Sequence, residues 1–231
     1  MAGFVRQRGL SLALVVAVMA AAALAQGAIS YTFAFGGLAA TLGIHLSGLT
    51  EFGYFARWSL VGAMGILWLL DKKRALFVLA IVLNADATLI LLAHTGFLIS
   101  VLAGLSARTV QTILLDVVLM GVSNILIFSV WYWVIDPPSV DMSQRPGEPW
   151  AFLFPQRAGE LPHFEGWQPR YSDYLFIAFT TTFAFSPTDT LPLTRTAKML
   201  MMLQASISVI TLTGIAGSAI NILAGMASGK P

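Results

Sequence analysis

The sequence predicts an all-α, polytopic membrane protein. Only 10% of its residues are charged and 57% are hydrophobic, with a mean hydropathy of +0.80, where soluble domains carry about 25% charged residues. Several apolar runs approach the roughly 20 residues that a helix needs to cross a bilayer. The short alternating segments of a membrane β-barrel are missing. The chain contains no cysteine, which removes disulfides, thiolate metal sites and thiol catalysis. Its formal net charge of +2 is spread along the sequence and gives no reason to expect a nucleic-acid partner.

The elements follow in order. Arg6 and Arg8 precede an apolar run at 10–29 that fits both a secretory signal and a first spanning helix. Its continuation through Ile29 favours a retained helix over cleavage near residue 25. Residues 31–48 are apolar, short and glycine-rich, and fit a short span, a re-entrant segment or an interfacial helix. A clear helix at 52–70 ends in the charged turn Asp71-Lys72-Lys73-Arg74, and a helix at 75–99 returns. Gly104, Ser106 and Arg108 mark the next turn. A helix at 112–135 closes with Trp131, Tyr132 and Trp133, which read as an interfacial aromatic belt. Asp136-Pro137-Pro138 stops it, because proline lacks an amide donor and restricts the residue before it.

Residues 136–170 form the one sizeable segment expected outside the membrane. It is too short for an independent core. Its Trp150, Phe152, Phe154, Phe164 and Trp167 predict packing on the membrane surface or on a neighbouring subunit. An amphipathic half-helix at 171–183 and a long apolar helix at 196–224 complete the chain. This divides the sequence into N-terminal transmembrane helices at 1–111 and a C-terminal unit at 112–231, with five or six spanning helices in all. No internal repeat of the inverted-transporter kind is present. The positive-inside rule puts both Arg6/Arg8 and Lys72/Lys73/Arg74 in the cytoplasm, which leaves the 136–195 segment cytoplasmic if 31–48 does not span.

The segment YSDYLFIAFTTTFAFSPTDTLPLTRTAKMLMMLQASISVITLTGIAGSAIN runs from Tyr171 to Asn221. Its order is half-helix, threonine-rich turn, Ser-Pro-Thr-Asp, Leu-Pro, basic pair and long apolar helix. It resembles the pore loop and inner helix of the two-transmembrane, potassium-channel-like superfamily. The same residues also resemble a group of uncharacterised bacterial integral membrane proteins of similar size. The channel resemblance implies a re-entrant pore helix over 173–180, with Thr181 and Thr182 at the threonines of the filter. Phe183, Ala184, Phe185 and Ser186 then stand in the filter strand, with Pro187 and Thr188 in an insertion, Asp189 at the filter aspartate and Pro192 before the inner helix. Gly214 stands at a hinge glycine. It further implies a homotetramer in the bacterial inner (cytoplasmic) membrane with the filter outside, opposite to the orientation from the charge rule.

The sequence departs from that pattern where chemistry matters. Filter glycines adopt positive φ without steric cost, so that successive carbonyls face the ion. Ala184 and Ser186 cannot do so cheaply. Threonine and serine hydroxyls are left as the cation-binding groups, in a non-standard filter. On the inner helix, Gln204, Ser208 and Thr211 recur at helical spacing and read either as pore lining or as helix packing.

Further polar residues lie inside the apolar helices. Asp86 and His94 are about 80° apart by helical periodicity, and Asp116, Ser123 and Asn124 share one side of the next helix. An intramembrane carboxylate is costly and usually faces the bundle interior or water. These residues fit an interhelical packing network or, alternatively, a proton or cation relay. His45, His94 and His163 are scattered, and no GxSxG, Walker or HExxH pattern appears. The sequence thus predicts neither an enzyme, a cofactor nor a metal site. It predicts a channel-like protein for a monovalent cation. The alternatives are a non-catalytic subunit of a larger membrane complex, joined to partner membrane proteins, and a small coupled transporter using Asp86 and Asp116.

Overall fold

The computed structural model describes residues 9–29, 47–102, 110–136, 150–158, 161–184 and 189–227. Among the described residues the chain is all-α apart from one two-residue strand pair. Five long helices are α1 (Gly9–Ala28), α2 (Ser47–Leu69), α3 (Lys73–Leu102), α4 (Val110–Ile135) and α7 (Arg195–Ala227). Between α4 and α7 lie β1 (Phe152–Leu153), the single turn α5 (Pro155–Ala158), α6 (Tyr171–Ala184) and β2 (Leu191–Pro192). Among the described residues three helical stretches are long and apolar enough to cross a membrane: Arg74–Ile99, Leu114–Ile135 and Arg195–Gly217. Leu12–Ala28 and Phe55–Leu69 are apolar but shorter. The protein is therefore built as a membrane-embedded helical bundle. Most of the 31–48 segment lies outside the described residues, although α2 begins earlier than the pattern predicts, at Ser47.

Each boundary has a local cause. The α2–α3 turn closes because Lys72 N–H donates to Leu67 O (2.9 Å) and Asp71 N–H to Trp68 O (3.1 Å). Asp71 takes the left-handed conformation, φ 56°, that this helix ending requires. At the start of α6, the Asp173 carboxylate accepts from Arg170 N–H at 2.6 Å while Asp173 N–H donates to Arg170 O at 3.0 Å. That is half of a reciprocal capping arrangement. The α7 cap is Thr194, whose Oγ accepts from Ala197 N–H at 3.2 Å.

Helix α4 is the hub of the bundle, packing against α1, α3, α6 and α7. The N-terminal helices and the C-terminal unit therefore share one core. The end of α4 is not an aromatic belt. Tyr132 and Trp133 are buried, with Trp133 edge-on to Phe77 and Tyr171 and Tyr132 edge-on to Phe152. Tertiary packing has claimed side chains whose position at a helix end suggested a lipid–water boundary. The expectation for the 136–170 aromatics is corrected at two of them, while Phe164 stays exposed. Phe152 and Phe154 are buried against the chain's own Tyr132 and Tyr174, and β1 pairs antiparallel with β2 in the register Phe152↔Pro192, Leu153↔Leu191. This pairing ties the segment before α6 to the one after it.

Candidate functional site

The candidate site is the polar interior between α4, α6 and α7. Its centre is Gln204, which has no exposed surface. Gln204 Nε2 donates to Ala178 O (2.8 Å) and to Thr182 Oγ (3.0 Å), both on α6. The Tyr132 hydroxyl of α4 donates to Gln204 Oε1. One amide thus joins three helices with every one of its hydrogens and its oxygen engaged. Asn124 of α4 extends the network, its Nδ2 donating to Ser208 Oγ (2.9 Å) and to Gln204 O (3.4 Å). Thr211 is buried one turn further on, its hydroxyl returned to Ile207 O at 2.7 Å.

A second cluster holds the other end of α6. Asp136 is completely buried. Its carboxylate accepts from Ala151 N–H (2.9 Å), Phe152 N–H (3.4 Å), the Tyr174 hydroxyl (2.7 Å) and Arg157 Nη1 (3.1 Å). Arg157 is itself buried, stacks over Trp150 and Phe154, and donates to Phe152 O at 3.2 Å. A buried ion pair is sustained only when its remaining lone pairs and protons are also satisfied, and here four donors converge on one carboxylate. Nearby, the Ser129 and Tyr171 hydroxyls are 2.6 Å apart. Helix α6 is therefore bonded at its first turns to the end of α4 and at its last turns to the middle of α7.

The predicted site residues separate accordingly. Thr181 and Thr182 are buried inside the chain. Thr182 returns its own proton to Ala178 O at 3.0 Å. Thr181 sits beside the Tyr132 phenol, its hydroxyl outside hydrogen-bond geometry. Ala184 is the last residue of α6, so the helix runs through Phe183 and Ala184, where the filter strand was expected to begin. Phe185, Ser186 and Thr188 lie outside the described residues. Asp189 is exposed. The proposed lining stripe of Gln204, Ser208 and Thr211 is corrected: it faces α4 and α6 within one chain, where Gln204 and Ser208 find hydrogen-bond partners and Thr211 packs beside Gly121. The face of α7 that remains open carries Met199, Met202, Ser206, Val209 and Thr213. Gly214 is a point of close approach, where an added Cβ would stand 3.1 Å from a Leu98 methyl and 3.4 Å from Val117 Cγ1.

Of the intramembrane polar residues, His94, Asp116 and Asn124 are buried, whereas Asp86 faces outward and pairs with Arg57 of α2 at 3.2 Å. Burial therefore separates Asp86 from the other members of a relay. Among the described residues no group of three His, Asp or Glu side chains is placed to hold a metal ion. The sequence reading missed Asp136, Arg157, Tyr174 and Arg57. Asp136 registered only as a helix stop, and its partners are 15 to 38 residues away along the chain, a separation that periodicity cannot bridge. No protein-family model, curated protein or solved structure matches the chain.

Proposed function

We propose that this is a channel-like membrane protein of the bacterial inner membrane, in which α4, α6 and α7 act as outer helix, re-entrant pore helix and inner helix, and several copies surround a path for a monovalent cation. One observation carries this reading. Helix α6 has 14 residues, about 21 Å at the α-helical rise, too short to cross a hydrocarbon core of about 30 Å. Yet it is packed between two membrane-length helices and bonded to the end of one and the middle of the other. A short helix at membrane depth is tolerated only where protein or a water-filled cavity surrounds it. Its open edge, Phe176, Phe179 and Phe183, each about half exposed, then meets a neighbouring copy. The open α7 face with Ser206 and Thr213 is left for the axis, and the buried Gln204 network holds the unit in shape.

A second reading is a non-conducting subunit of a larger membrane complex. It is favoured by the complete internal use of the polar stripe, which leaves the open α7 face mainly apolar. Native mass spectrometry of the purified chain in mild detergent separates the two. A homotetramer that supports cation flux in liposomes is the expected result. A monomer, or a stable assembly with other proteins, overturns the channel reading in favour of the subunit.

A further inference from the structure

We infer that water enters the α1–α2–α3 layer at the depth of the membrane interior, at the open side of the Arg57–Asp86 ion pair, and that one water sits behind the pair between Arg57 and Gln26. The site is independent of the α4–α6–α7 unit and of the function proposed for it. Asp86 lies near the midpoint of the apolar span Arg74–Ile99. Its Oδ2 accepts from Arg57 Nε at 3.2 Å. The Asp86 side chain is nevertheless 50% exposed, and that of Arg57 19%. One helical turn away on either side, Val82 and Leu89 are exposed and apolar, as a lipid-facing surface should be. A carboxylate with an open half does not sit stably in hydrocarbon, so a donor must cover it.

Gln26 supplies an independent observation. It is 4% exposed, and its Nε2 donates to Ala87 O at 2.8 Å. Its Oε1 has no hydrogen-bond partner among the described residues. Gln26 and Arg57 together line a crevice closed by Met19, Ala23, Val61 and Leu83, with room for a single water. The bond to Asp86 uses only Nε of Arg57, leaving guanidinium protons to donate. A water accepting from the guanidinium and donating to Gln26 Oε1 completes both groups. The chemistry selects water over other occupants. The guanidinium repels a metal cation, the Gln26 oxygen repels an anion, and the crevice is too small for a lipid-soluble molecule.

The chain has no cysteine, so single-cysteine variants report alone. Ala85→Cys keeps the ion pair, Asp86→Cys samples the carboxylate position, and Val82→Cys and Leu89→Cys mark the neighbouring turns. All four are treated in native membranes with a membrane-impermeant thiol reagent. Only a thiolate reacts, and it forms only where water reaches the sulfur, so position 85 or 86 should label at least about tenfold faster than 82 and 89. Equal, slow labelling at all four positions would show a dry face and overturn the inference. Equal, fast labelling would overturn it too, by placing the whole face in water.

Discussion

Asp136 and Gln204 each concentrate several interactions on one side chain, and each should respond sharply to substitution. Replacing Asp136 by alanine leaves the buried Arg157 guanidinium, the Tyr174 hydroxyl and two backbone amides without an acceptor. Removing one partner of a buried ion pair costs about 3–5 kcal/mol, and thermal unfolding in detergent should report a loss of that order. Asp136→Asn keeps an oxygen in place and should lose less. Gln204→Leu strands the Tyr132 hydroxyl and removes both donors to α6, an expected loss of about 1–3 kcal/mol by the same measurement. Gln204→Glu should do worse than Leu, since it keeps the acceptor but buries a charge opposite the Ala178 carbonyl. At this scale the sequence showed which residues are polar within apolar segments. It did not show which way they point. Asp86 and Asp116 look alike in the sequence, yet one is half exposed beside Arg57 and the other is buried.

The helices themselves were largely legible. The apolar run at 10–29, the returning helix after Asp71 and the stop at Asp136 all correspond to helices found within a few residues of the expected limits. These boundaries follow from local signals: apolar length, a charged turn and proline. The short α6 was legible too, because an amphipathic half-helix was expected at 171–183 and Tyr171–Ala184 is found. What remained hidden was the packing between elements. Gly214 reads as a hinge in the sequence and proves to be a contact between α7, α3 and α4. Gly214→Ala should cost less than a larger side chain, because the added methyl stands 3.1 Å from a methyl of buried Leu98, which has to give by only a few tenths of an ångström. Gly214→Leu should push the helices apart and cost about 1–3 kcal/mol, visible as a lowered midpoint of thermal unfolding.

For the whole molecule, large apolar side chains cover the outside as well as the inside. Val78, Val82, Leu89 and Ile99 on α3 and Met199, Met202 and Val209 on α7 are all exposed, a surface that water does not tolerate and lipid does. The protein should therefore stay in the membrane pellet after alkaline carbonate extraction and leave it only with detergent. Recovery in the carbonate supernatant would contradict the membrane-embedded bundle. The sequence by itself determined the class of this protein, because hydropathy and helix length are sums over neighbouring residues and need no tertiary knowledge. It also determined the order of long helix, short helix and long helix in the C-terminal unit. Only the tertiary structure decided which polar side chains meet. Gln204 lies 72 residues from Tyr132 and 22 from Thr182. A hydrogen bond between them depends on how three helices are rotated about their axes, and many side chains far apart in the chain set that rotation together.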